Sequence, residues 1–389
     1  MPTPLYLDHN ATSPVHPEVA EVVRRISLDF PGNPASQHQV GRNARRQLEA
    51  DRLALLSGLT AETQSFHSDR LIFTSGGTEA NNLAVIGLAR AAIRRDPSRK
   101  RVILSSIEHP SVLEARSILA ASGFDVQILR AKSDGVVDRV HLAELLKEPT
   151  CLTSCMLANN ETGALQPIHV LSKMCHHAGA LLHTDAVQAV GKIPVHFREL
   201  GADALSFTGH KFGGPKGIGG LILKWGIEIE PILVGGFQQA SARPGTENPA
   251  LAAGLLAALA MLLGVHSPED RLTTIRNGFE GILLENIPEL VINAGSSLRL
   301  PHTSNLAFPG INRQAFQMAL DLEGVYCSTG SACASGSSDP STVLVAMGLP
   351  EEVISSSLRF SFGWSSTLEE AQESAQRILL CYKRLRGQK

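Results

Sequence analysis

Cysteine is sparse in this chain, with six residues at positions 151, 155, 175, 327, 333 and 381 among 389. That is too few for a disulfide scaffold, and most of them read as small core residues. Cys151 and Cys155 lack a second pair at finger-like spacing, and Cys175, His176 and His177 are adjacent, so no metal site is expected. Basic surface is also missing. The formal net charge is -2, with no basic tail or stripe, which argues against nucleic-acid binding. Residues 1–14 carry neither a basic n-region nor an apolar h-region, so a cytoplasmic protein is expected. The most apolar run, residues 250–265, falls short of the roughly 20 residues that a bilayer core requires and reads as a buried helix. No internal repeat or low-complexity linker is present.

What is present is ordinary for a globular protein: 43% hydrophobic and 19% charged residues, which excludes disordered and collagen-like classes. The length exceeds what one core usually serves, so two domains or one elaborate α/β unit are expected. Short apolar runs at 71–74, 101–105, 126–129, 152–157, 180–183, 204–207 and 220–223 read as buried strands. Helix-like stretches at 78–95, 111–121 and 167–179 alternate with them. The pattern predicts an α/β fold with a mostly parallel central sheet, and ligands beyond the strands' carboxyl ends. After residue 265 the pattern changes to a charged helix near 269–287, strands near 304–308 and 358–361, and a final amphipathic helix at 368–386. A boundary near 262–270 is therefore expected, followed by a smaller α+β unit.

Three segments carry chemistry. Thr74-Ser-Gly-Gly-Thr-Glu-Ala-Asn-Asn82 leaves a strand and opens a helix, so its backbone N–H groups can face an anion. Ser206-Phe-Thr-Gly-His-Lys-Phe-Gly-Gly-Pro-Lys-Gly217 puts Lys211 in a glycine-rich loop between strands. His183-Thr-Asp-Ala-Val-Gln188 puts Asp185 just after a strand, at the same edge of the sheet. Each alone has a bland reading: a strand-to-helix turn, a solvated lysine, a helix cap. Together they supply an amine, an acid and a phosphate cradle, the set that pyridoxal phosphate (PLP) chemistry uses.

The chain resembles the cysteine desulfurases. The similarity rests on the Asp185 and Lys211 segments and on Ser328-Thr-Gly-Ser-Ala-Cys333, with Tyr6-Leu-Asp8, Gly32-Asn-Pro-Ala-Ser36, Ala158-Asn-Asn-Glu-Thr-Gly163, Arg243-Pro-Gly-Thr-Glu-Asn248 and Leu358-Arg-Phe-Ser361 in support. It implies the PLP-dependent transferase fold type I. The large PLP-binding domain would span 15–265, and residues 1–14 with 266–389 would form the small domain bearing Cys333. Lys211 would bind the cofactor covalently, Asp185 would pair with its ring nitrogen, Gln188 with its ring oxygen, and His109 would stack on the ring. Gly77, Thr78, Thr208 and His210 would hold the phosphate, joined by Thr246 from the second subunit of a homodimer. Arg359 and Asn160 would hold the substrate carboxylate, with Asn10 and Asn33 in the same pocket. Without the resemblance, Arg359 reads as an exposed arginine of an edge strand.

The implied reaction converts L-cysteine to L-alanine and leaves a persulfide on Cys333, with Lys211 moving the Cα proton and His109 serving the substrate thiol. A sulfur-acceptor protein would then take the sulfur, for iron–sulfur cluster assembly or tRNA thiolation. Cys333 separates this reading from aminotransferases, which need no cysteine. Selenocysteine lyase, an aminotransferase and a non-catalytic scaffold of the same fold remain alternatives. The family's usual Glu-Arg pair is replaced here by Gln239-Ala240, which puts contacts made there in question, and Cys327 reads as a packing residue.

Overall fold

The computed structural model describes residues 3–263, 268–330 and 339–387. The apolar runs form a seven-stranded sheet from β1 (Arg70–Thr74), β2 (Arg101–Ser105), β3 (Asp125–Leu129), β4 (Thr150–Ser154), β5 (Leu181–Asp185), β6 (Ala204–Thr208) and β7 (Gly219–Leu223). Its order is β1-β7-β6-β5-β4-β2-β3. All pairings are parallel except those of β7, which runs antiparallel to both β1 and β6. Every residue of β4, β6 and β7 is buried. Helices cover both faces of such strands, which explains their continuous apolar runs.

The apolar stretch at 250–265 is the helix Pro249–Leu263. It places Ala252, Leu255 and Leu259 in the main core and packs against helices Pro17–Asp29 and Gln39–Gly58. Among the described residues, no helix is long and apolar enough to cross a membrane. The expected helix at 78–95 is continuous from Gly77 to Arg95 but contains a π-helical turn at Leu83–Gly87.

A second hydrophobic cluster surrounds a three-stranded antiparallel sheet of β8 (Val291–Ile292), β9 (Thr303–Ala307) and β10 (Ser357–Ser361), ordered β10-β9-β8. Phe279 and Phe360 have ring centroids 5.2 Å apart, and Phe308 and Phe316 4.9 Å apart, so aromatic contacts dominate this core. The chain's beginning joins it: Leu5 and Tyr6 pair in parallel with Val325 and Tyr326, and Asp8 bridges to Ser361.

Gln239 has a local role. Its carboxamide accepts from Phe73 N (2.7 Å) and donates to Phe73 O (2.9 Å), as a neighbouring strand would along the open edge of β1. Reaching there places Gln239, Ala240 and Ser241 at φ of 50°, 53° and 64°.

Candidate active site

The carboxyl ends of β4, β5 and β6 and the helix beginning at Gly77 enclose a cavity of about 240 Å³. Asn10, Gly77, Thr78, His109, Asn160, Asp185, Gln188, Thr208, His210, Lys211 and Arg359 all line it. Asn33 and Thr246 are exposed and do not. Cys333 lies outside the described residues.

Lys211 ends a short 3₁₀ turn, Gly209–Lys211, that follows β6. The loop folds back tightly: Gly214 N donates to Gly209 O at 2.9 Å, and a Cβ on Gly214 would sit 2.9 Å from that oxygen. Glycine is required there by close backbone approach. The Lys211 ammonium donates to the carbonyls of Asn10 (2.6 Å) and Ala11 (2.9 Å). The N-terminal segment therefore holds the amine at the cavity wall.

Asp185 ends β5 and is 4% exposed. Its carboxylate accepts from Val187 N (2.8 Å) and from Asn81 Nδ2 (2.6 Å). Burial pushes its pKa up, opposed by the Val187 N–H, His109, Asn81 and Lys211. Asn81 lies one turn after Gly77 on the same helical face, a spacing visible in the sequence but not assigned there.

His109 precedes helix Pro110–Leu113 and caps it, its Nδ1 accepting from Ser111 N at 3.1 Å. In the neutral ring that places the proton on Nε2. Burial lowers its pKa; Asp185 works against that and Lys211 adds to it. At neutral pH the ring is therefore uncharged, and taking up a proton at Nδ1 requires it to give up the Ser111 N–H.

The helix at Gly77 begins with Gly76 as its N-cap, which brings no capping side chain, so an anion can meet the first N–H groups. A Cβ on Gly77 would lie 2.9 Å from Val187 Cγ2.

Across the cavity, Arg359 is 1% exposed, not exposed as its strand position suggested. Nη2 pairs with Asp8 (2.7 Å) and Nη1 donates to Asn160 O (3.1 Å). A buried guanidinium needs such partners, and both come from distant sequence. The Asn10 amide donates to Asn160 O and Thr303 Oγ1 (3.1 and 3.0 Å), joining this wall to β9.

Two buried amide oxygens of cavity-lining residues, Asn81 Oδ1 and Asn160 Oδ1, have no partner among the described residues. Orphaned acceptors of this kind fit a polar ligand that brings its own donors. With an amine, a buried carboxylate opposed by positive charge and an uncapped helix start in one cavity, the residues present fit PLP.

The described residues on either side of Cys333 belong to the same wall. Ser328 exchanges backbone hydrogen bonds with Arg359 (3.1 and 2.7 Å), and Ser341 Oγ donates to the buried Glu161 carboxylate at 2.5 Å. A Cβ on Gly330, at φ +141°, would lie 2.8 Å from that same Glu161 oxygen. Cys327 packs in the second core at 8% exposure, where burial raises its thiol pKa.

Glu108, beside His109, was not distinguished in sequence. Its Oε1 accepts from Ser105 Oγ (2.5 Å) and Met156 N (2.6 Å), while Oε2 is buried without a partner. Burial pushes its carboxyl up to about 8. Between the unfolded value of about 4.3 and that value, the folded chain holds a proton the unfolded chain releases. This contribution is complete at acid pH and fades as pH rises through 8. Glu108→Gln, which cannot ionise, is therefore expected to raise the melting temperature by a few degrees more at pH 8.5 than at pH 5. Equal shifts in thermal unfolding at both pH values would show that no proton is held there.

The class-V aminotransferase family model matches residues 5–373. The chain is 40% identical to the cysteine desulfurase IscS of Dictyoglomus turgidum, covering 94% of this chain and 91% of the relative. It is 37% identical to the cysteine desulfurase NifS of Azotobacter vinelandii, covering 94% and 89% respectively. The solved NifS-like protein of Rickettsia africae superposes with a TM-score of 0.87 at 30% identity, covering 99% of this chain and 100% of that one. A buried arginine facing a lysine across one cavity is thus set in a chain that belongs, over nearly its whole length, to the class-V aminotransferase family and within it to the cysteine desulfurases.

Proposed function

We propose that this protein, as a PLP enzyme, takes sulfur from L-cysteine, releases L-alanine, and carries the sulfur as a persulfide on Cys333 for delivery to an acceptor protein. The observation that carries the reading is the single cavity holding Lys211, Asp185 and His109 on one side and Arg359 on the other.

When bound, PLP supplies an electron sink for negative charge developing at the substrate Cα. Lys211 would hold it covalently, Asp185 would keep its ring nitrogen protonated, and Gln188 and His109 would contact the ring. Gly77, Thr78, Thr208 and His210 would take its phosphate. Arg359, oriented by Asp8 and the Asn160 carbonyl, would receive the substrate carboxylate, since a guanidinium has five donors and those two partners do not exhaust them. Asn160 and Asn10 would complete that pocket.

Lys211's amine, once displaced, removes the Cα proton and returns one during formation of alanine. His109 accepts the proton of the substrate thiol. The Cys333 thiolate attacks the substrate sulfur; an S–S bond forms, the C–S bond breaks, and its electron pair stays with the carbon skeleton that becomes alanine.

The reading includes a homodimer. Val234 and Phe237 are 103% and 90% exposed, an apolar surface close in sequence to the exposed Thr246, which a second subunit would receive beside its phosphate.

The test is incubation of the PLP-loaded protein with L-cysteine, measuring alanine and then the mass of the peptide containing Cys333. Alanine together with a gain of one sulfur on that peptide is expected. Amination of a keto acid without sulfur release would replace this reading with aminotransferase chemistry.

A further inference from the structure

Behind the turn that carries Lys211 lies a second cavity of about 160 Å³, sharing no lining residue with the first. It is walled by Phe212, Met261, Leu262, Leu272 and Trp364, and Lys192 lines it. Gly191, at φ +77°, leaves this space open: a Cβ there would fall 2.6 Å from the Phe212 Cβ and 2.7 Å from a Leu262 methyl.

Lys192 is unusual. It is 3% exposed, and its ammonium makes no hydrogen bond or ion pair among the described residues. The charges acting on it are those of Arg271 and Lys211, both positive. His9 and His302 also feel the Lys192 charge, and both are held neutral by burial. Among the described residues no carboxylate offsets the group. A buried ammonium without a counter-charge is strongly disfavoured, and burial accordingly pulls Lys192 down to about 7. Arg271, also lining the cavity, is held in place by the carbonyls of Gly363, Trp364 and Ser366 (3.0, 3.1 and 2.6 Å).

The site thus lacks one negative charge and offers a largely apolar enclosure. A hydrated inorganic anion could turn one side to the polar residues His16, Lys192 and Arg271, but would lose the rest of its water against aromatic and aliphatic walls. An organic acid satisfies both halves, with its carboxylate on Lys192 and its body against Phe212 and Trp364.

We propose that this cavity is a ligand site, distinct from the catalytic one, for a small organic monocarboxylate with an apolar body. Phe212 adjoins Lys211 in the chain, so the ligand would contact the turn that positions the catalytic amine.

The test uses the PLP-loaded protein with Trp225→Phe, which leaves Trp364 as the only one of the chain's two tryptophans. Titration with benzoate is expected to change Trp364 fluorescence saturably. Benzamide, its neutral isostere, should bind at least about tenfold more weakly, as loss of one charge-assisted hydrogen bond requires. Lys192→Met should weaken benzoate to the same extent while melting as a cooperative fold. Equal affinity for benzoate and benzamide overturns the proposal and needs no lysine variant. A benzoate response unchanged by Lys192→Met also overturns it, because the carboxylate would then not be held by Lys192.

Discussion

Lys211→Ala is expected to lower L-alanine formation from L-cysteine by at least about a thousandfold, since it removes both the covalent anchor and the base for the Cα proton. The wild-type protein with PLP should show an absorbance band near the visible edge that borohydride abolishes, leaving the label on the peptide containing Lys211. The variant should show neither the band nor the label. Unfolding is not the expected cause of the loss. Among the described residues the side chain's hydrogen bonds include those to the backbone carbonyls of Asn10 and Ala11, whose segment is also fixed by Ser13 N bonding His210 O (2.8 Å) and Asn10 N bonding Ser361 Oγ (2.9 Å). A variant within tenfold of wild-type activity would remove Lys211 from the reaction.

Cys333→Ser is expected to separate substrate binding from sulfur transfer. Among the described residues that line the cofactor cavity none is a cysteine, so the absorbance band and its response to L-cysteine should persist. Sulfur transfer should fall by about a hundredfold or more, because a hydroxyl is a poor nucleophile toward sulfur at neutral pH, and no peptide should gain sulfur mass. Cys327 is poorly placed to substitute: it is buried, and its thiolate is disfavoured by that burial. Undiminished sulfide release from Cys333→Ser would assign the transfer to another group.

The parts of this molecule that were legible in sequence are those fixed by local pattern. Most of the seven strands could be read because both their faces are covered and their runs are largely apolar, whereas in β3, at the sheet's edge, only Leu129 is fully buried. Lys211 and Asp185 were legible because each follows such a strand, and strand ends converge on one edge. Arg359 was placed in the pocket only by the resemblance; its strand position alone suggests exposure, because its burial depends on partners at positions 8 and 160, which no local window contains. Glu108 gave no signal for a similar reason: what isolates its carboxyl is the packing of β2 against the segment after β4. Asn81 was within reach of sequence, since helical spacing alone puts it beside Gly77, but its partner Asp185 is 104 positions away. The Gln239 substitution could be seen as a departure, and only the fold shows that its carboxamide completes the edge of β1.

The attachment of the first residues to the last strand also sets a schedule for synthesis. Leu5 and Tyr6 pair with Val325 and Tyr326, and Asp8 reaches Arg359 across 351 positions. Those residues leave the ribosome well before their partners, which appear only after more than four-fifths of the 389 residues have been made. Until then the carbonyls of Asn10 and Ala11 have no fixed place from which to hold Lys211, and the arginine wall does not exist. Contacts of such sequence separation form late in folding. A nascent chain can therefore complete its large sheet well before it possesses a catalytic centre, so chains interrupted before residue 359 would be folded in part and inert.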